Sequence, residues 1–211
     1  MENPIPETWP PKPPQVVPLF PLSNVWLFPY VILPLHIFEP RYRQMIEDIL
    51  DGTGRIVLGT VEQGSERAMD GSPPIYPIAG LGEVGRHERL DGGRFDILLL
   101  GLRRVRVQEV DSDKLYRKVE ILPAEETPVP KELEPDLRES LRAAILERTS
   151  DQSTLIPEVP VSHLTDLLTL RMPLPHDVLN ELYAELDVQK RAERALREHV
   201  ARPIVEDDDE D

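Results

Sequence analysis

The apolar positions change their period after Pro123. Ahead of that point, from Val16 to Pro34, the run VVPLFPLSNVWLFPYVILP crowds β-branched and aromatic residues together, and Pro18, Pro21, Pro29 and Pro34 interrupt it every few positions. Proline has no N–H to give to a ladder, so this run predicts short strands with prolines at their ends or edges, neither a helix nor one long central strand. Glu39 and Pro40 then open a helix, because a proline suits the first helical position. Tyr42, Met45, Ile46, Ile49 and Leu50 follow at spacings of three and four and share one face, until Gly52 and Gly54 end the segment.

Alternation returns beyond the helix. Arg55 to Val61 reads as a buried strand, and Glu62 to Pro74, with Gly64, Gly71 and two prolines, as a surface loop. Ile75 to Val84, Arg94 to Leu102 and Arg103 to Val110 read as three strands, the first two joined by a turn at Asp91, Gly92 and Gly93. Leu115 to Leu122 supplies the last strand. Several short strands joined by bends suggest a small barrel.

After Pro123 the spacing becomes helical. The apolar sets are Leu137, Leu141, Ala144 and Ile145; Leu164, Leu167 and Leu168; Val178, Leu179, Leu182 and Leu186; and Ala192, Ala195, Leu196 and Val200. Ser162 and Asp187 are the expected N-caps, with Pro173 and Pro175 separating the second helix from the third. The fold class is therefore α+β, a β-barrel with one inserted helix followed by a C-terminal helical bundle. The expected organisation is a proline-rich arm over 1–15, a barrel over 16–123, a linker over 124–135, a helical part over 136–200 and an acidic tail over 201–211.

Charge narrows the function. The 211 residues hold 24 basic and 39 acidic side chains, for a formal net charge of −15, and the surplus is spread over both halves with EDDDED at the end. A chain of this sign lacks the electrostatic footprint that a phosphate backbone requires, so nucleic acid is not the expected partner. Without cysteine there is no disulfide framework, thiolate zinc site or cysteine nucleophile. The opening MENPIPETWPPKPPQ has no apolar core of the kind a secretory signal needs, and no apolar run is long enough to cross a bilayer. The default location is the cytoplasm.

Motifs of catalysis are missing. Gly80, Gly82 and Gly85 in GLGEVG match a dinucleotide fingerprint in spacing, but the next residues, RHERLDGG, lead to a turn and a strand where the fingerprint needs a helix. The glycines are read instead as a bulged or closely packed strand, and no cofactor is expected. His36 and Glu39 could approach a metal, yet the five histidines are scattered and no metal site is expected. Ser23, Ser65 and Ser72 lie in no nucleophile-elbow context. The residues alone point to a non-catalytic binding module.

Two strings go further. Leu19 to Asn24 (LFPLSN) and Leu33 to Leu50 (LPLHIFEPRYRQMIEDIL) closely resemble the opening of the N-terminal domain of Lon proteases, and HIFEPRYR is highly specific. Gly82 to Val107 is similar to that domain's glycine strand, turn and hairpin, and Glu181 to Leu196 to its closing helices, so the resemblance runs from about Val16 to Val200. It implies a PUA-like barrel with a helical subdomain and a role in recognising proteins or peptides. Lon proteases carry an ATPase module and a Ser–Lys catalytic domain as well, for which this length leaves no room, so a stand-alone recognition domain is expected, with no enzyme activity of its own. Its partners would be unfolded or client proteins and a separate protease or chaperone. The candidate surface is Phe28, Tyr30, Phe38 and Tyr42, rimmed by Glu39, Arg41 and Arg43. Core packing is the competing reading for the aromatics, and pairing with carboxylates for the arginines. An RNA-binding PUA-like protein and a small-ligand regulatory domain stand as alternative functions.

Overall fold

The computed structural model describes residues 15–65, 72–149 and 159–202. The expected proline-rich arm and acidic tail lie almost wholly outside them, as does the middle of the 62–74 loop. Two compact units divide the chain between Ala124 and Glu125.

The first unit is a mixed six-stranded sheet with one helix. Its strands are β1 (Gln15–Leu22), β2 (Ile32–Ile37), β3 (Arg55–Thr60), β4 (Ile78–Arg89), β5 (Phe95–Val110) and β6 (Lys118–Pro123), in the order β2-β5-β4-β3-β1-β6, with β5 also paired to β6. The helix α1 (Pro40–Leu50) starts on Pro40 with Glu39 at its N-cap and buries Tyr42, Met45, Ile46 and Ile49, as the spacing predicts. Gly54, at a φ of 68°, donates its N–H back to the Ile49 carbonyl and closes the helix.

Adjacent strand residues point to opposite faces, so this sheet fills two cores. Ile56, Leu58, Ile97 and Leu99 join Tyr42, Met45 and Ile46 of α1 in one apolar cluster. Val57, Leu81, Val105 and Ile121 pack in another.

Three strand expectations need correction. Prolines do not break β1: Pro18 and Pro21 lie inside it. Gln15 to Pro18 pair antiparallel with β6, while Leu19 to Leu22 pair parallel with β3. Each half thus has its own partner and an unpaired side where a missing N–H is harmless. Nor do residues 94–110 form two strands. β5 runs unbroken over 16 residues, pairing with β2 over Phe95 to Leu100, with β4 over Phe95 to Arg106 and with β6 over Val105 to Val110. The alternation of Val105 and Val107 with Arg104 and Arg106 predicts a solvated face for the two arginines, but Arg104 is buried, with its guanidinium 5.4 Å from the centre of the Phe28 ring. β4 likewise begins later and ends later than its pattern suggests, reaching Arg89.

The glycine string behaves as a packed and bulged strand. A Cβ on Gly82 would meet side-chain carbons of Leu27 at 2.7 Å and Leu99 at 2.9 Å. The β4–β5 register slips between Val84 and Arg86, passing over Gly85.

The second unit holds α2 (Glu134–Glu147), α3 (Val161–Leu170), α4 (His176–Ala184) and α5 (Val188–Ala201) around Leu141, Ile145, Leu164, Leu168, Leu182 and Ala192. Asp187 caps α5 by accepting from the Lys190 N–H, as expected, whereas α3 starts one residue before Ser162, with Pro160 at its N-cap. Leu186 falls in the α4–α5 turn and its carbonyl accepts from Thr127. Val200 lies exposed near the end of α5, outside the buried stripe to which its spacing assigns it.

Burial holds the His163 imidazole below its ordinary pKa, against a smaller opposing pull from Asp166. The unfolded chain therefore takes up the proton first. Stability from this group is complete above the normal histidine range and is lost as pH falls through it toward the lowered folded value. Thermal unfolding of the full chain between pH 7 and 5 should show this loss, and His163→Gln should flatten that part of the profile.

Candidate functional site

The seven candidate residues do not form one patch. Phe28 (1% exposed) and Tyr42 (5%) are core residues, which removes them from any surface in this structure. Tyr42 meets the edge of the Phe20 ring at 4.5 Å and is covered by the Arg41 guanidinium at 4.7 Å from its centroid. Its burial raises the phenol pKa. Tyr30 (61%) and Phe38 (60%) are exposed, but they flank opposite ends of β2, a strand about 20 Å long.

The rim residues differ too. Arg41 is committed to Glu39, with an N–O distance of 2.9 Å. Arg43 lies against the β4–β5 turn, where a Cβ on Gly93 would come within 2.7 Å of its Nη2. Its Nε is buried without a hydrogen-bond partner.

β2 runs between the two exposed aromatics. Its ILPLHI alternation turns Leu33, Leu35 and Ile37 inward and leaves Ile32, Pro34 and His36 exposed. Across the ladder, Pro34 faces Leu98 and then Arg86 of β4, while His36 faces Asp96 and then Glu88. A shallow cavity of about 490 Å³ overlies these two rows. The His36 Nδ1 is 2.6 Å from Asp96 Oδ1, and the ring stacks on Phe38 at 6.0 Å. His36 is thus engaged by a sheet neighbour rather than by Glu39, and among the described residues no three histidine or acidic side chains converge as metal ligands would.

Among the described residues β2 is also an edge strand, paired only with β5. The Gly101 N–H donates to the Val31 carbonyl at 2.8 Å. Hydrogen-bonded and open pairs alternate in an antiparallel ladder, so Leu33, Leu35 and Ile37 exchange bonds with β5. Ile32, Pro34 and His36 direct their backbone groups to the free side, where the proline forfeits only an outward donor. Tyr30 leads into this strand at a φ of 65°, a left-handed conformation uncommon for an aromatic residue, held by its N–H bond of 2.7 Å to the Gly101 carbonyl. Ile32, Pro34 and Leu98 are surface residues that aromatic identity misses, although the strict alternation of ILPLHI carries that signal.

Residues 16–199 match the family model of the substrate-binding domain of the ATP-dependent protease La (Lon). The chain belongs to that family. Lon protease 2 of Sorangium cellulosum is 30% identical over 149 residues, spanning 68% of this chain and 17% of that protein. The Lon protease of Heliobacterium modesticaldum is 26% identical over 207 residues, spanning 90% of this chain and 24% of that protein. The chain therefore covers only the smaller part of these Lon relatives' own length.

Solved structures give the same fold. The N-terminal domain of the Mycobacterium avium complex Lon protease superposes with a TM-score of 0.66 at 15% identity, covering 88% of this chain and 98% of that one. The Lon N-terminal domain protein from Xanthomonas campestris does so at 0.63 and 20%, covering 87% and 98%. The α+β arrangement of a mixed sheet with five helices is thus that of Lon N-terminal domains. Among the described residues no helix is long and apolar enough to cross a membrane.

Proposed function

We propose that this chain is a non-catalytic recognition module that binds exposed segments of unfolded client proteins and presents them to a protease or chaperone. The observation that carries the reading is the match of most of the chain, 16–199, to the Lon substrate-binding domain. The ring of pairings from β5 through β4, β3, β1 and β6 back to β5 is read as a small PUA-like barrel, with the helical unit as its companion subdomain. Tyr30 and Phe38 supply the apolar contacts, with Glu39, Arg41 and Arg43 near one end. The module works in the cytoplasm.

The test is binding of fluorescein-labelled casein to the purified full chain, followed by anisotropy. The expected result is saturable binding with the casein left intact. The double variant Tyr30→Ser, Phe38→Ser should bind about tenfold or more weakly, as loss of two exposed aromatic anchors implies, while its unfolding temperature stays near that of the parent. A folded chain that ignores casein, or one that cleaves it unaided, overturns the reading.

A further inference from the structure

We infer that the free edge of β2 is the docking line, and that an extended client segment adds there as a further strand, carrying apolar residues beside Ile32 and Pro34 and a lysine or arginine beside His36. This rests on the proposed recognition function and specifies its surface. The geometry is that of strand addition: backbone bonds supply affinity and alternate side chains supply selection. Ile32 and His36 each offer an outward N–H and C=O, and Pro34 offers its carbonyl, so only one donor of a complete ladder is missing.

The same proline argues against a second copy of the chain as the occupant. A two-fold pairing of β2 with itself centred on Pro34 would set proline against proline, with no donor at the centre. Charge adds to this. Each copy has a net charge of −15, so two copies repel, while a cationic segment is drawn in. At the His36 end the side chain of Asp96 is 55% exposed, and Glu88 continues the acidic row. Strands lie about 4.8 Å apart, so a long cationic side chain on the added strand reaches across His36 toward Asp96, whereas Arg86 on β4 is two strands further in than the edge. At the other end, exposed Ile32 (60%) and Leu98 extend the apolar surface begun by Tyr30.

The experiment uses the full chain and a labelled peptide whose every second residue reads valine, valine, lysine, with serine between, so that one face sets the valines beside Ile32 and Pro34 and the lysine beside His36. Tight, salt-sensitive binding is expected, with a valine and glutamate peptide about tenfold weaker. Methylating the backbone nitrogens on the bonding side should abolish binding, while methylating those on the other side should leave it. Ile32→Lys should weaken the peptide about tenfold or more. Pro34→Val restores the missing donor and should tighten it about fivefold, the worth of one hydrogen bond. If casein and the peptide bind but respond to neither the methyl groups nor the two substitutions, the docking line is wrong and the recognition reading stands. If neither ligand binds the folded chain, the recognition reading falls with it.

Discussion

Replacing Arg191 with methionine is expected to cost the helical unit about 3–5 kcal/mol, the usual penalty for removing one partner of a buried ion pair. Arg191 is only 1% exposed, on the buried face of α5. Its guanidinium bonds Glu126 at 2.6 Å and the Glu185 carbonyl at 2.6 Å, and lies 3.5 Å from buried Asp166 on α3. One side chain thereby ties α3, α5, the α4–α5 turn and the segment ahead of α2 together. Methionine fills much of the space but removes the cation that faces the buried Asp166 carboxylate. Glu126 keeps partial access to water and can rehydrate. Against a typical stability of about 5–15 kcal/mol the loss is large. Urea unfolding followed by ellipticity should show it, and adding Asp166→Leu should recover more than half by removing the stranded charge. An Arg191→Met midpoint equal to the parent's would dismiss the network as a stabilising element.

Arg191 also marks where reading the sequence stops. Val188, Ala192 and Ala195 outline the apolar stripe of α5, and Arg191 falls beside it, so spacing alone marks the position as inward-facing. Residue type argues the other way, because an arginine enters a core only when distant groups satisfy it, and Asp166 and Glu126 are far away in sequence. Arg104 misleads for the same reason, because alternation with Val105 and Val107 assigns it to a solvated face and the structure buries it. The helix α1 is legible because its proline start, its period and its glycine stop agree locally. The prolines of β1 mislead because their tolerance depends on a change of partner halfway along the strand.

The candidate site divides in the same way. Aromatic identity places Phe28, Tyr30, Phe38 and Tyr42 in one set, but identity does not give direction. Phe28 turns inward, with Arg104 against its ring, and Tyr42 projects from the buried face of α1. The alternation of ILPLHI does give direction, and it leads to the strand edge on which Tyr30 and Phe38 are the two ends. That β2 is an edge comes only from the sheet order, which no local pattern contains.

Gly101→Ala is expected to destabilise the first unit by about 3 kcal/mol or more, the upper range for forcing an atom into a filled site. A Cβ at this position would lie 2.0 Å from the Phe28 carbonyl oxygen and 3.0 Å from its carbon. Both are backbone atoms, so no rotamer change relieves the clash. The contrast is Gly82, where the obstructing atoms belong to the flexible ends of Leu27 and Leu99, and Gly82→Ala should cost about 1–2 kcal/mol. At Gly101 the strain is passed on to the edge strand. The Gly101 carbonyl accepts from Tyr30 and its N–H donates to Val31, so pushing Phe28 away displaces the residues that lead into β2. The unfolding temperature should fall by roughly 10 °C or more. At a temperature where Gly101→Ala remains folded, binding of the valine and lysine peptide should weaken as well, whereas Gly82→Ala, on the interior strand β4 and away from the β2 edge, should bind as the parent does. Equal unfolding temperatures for the two variants would show that the Phe28 carbonyl does not press on this glycine, and would remove the close approach that leads the chain into the edge.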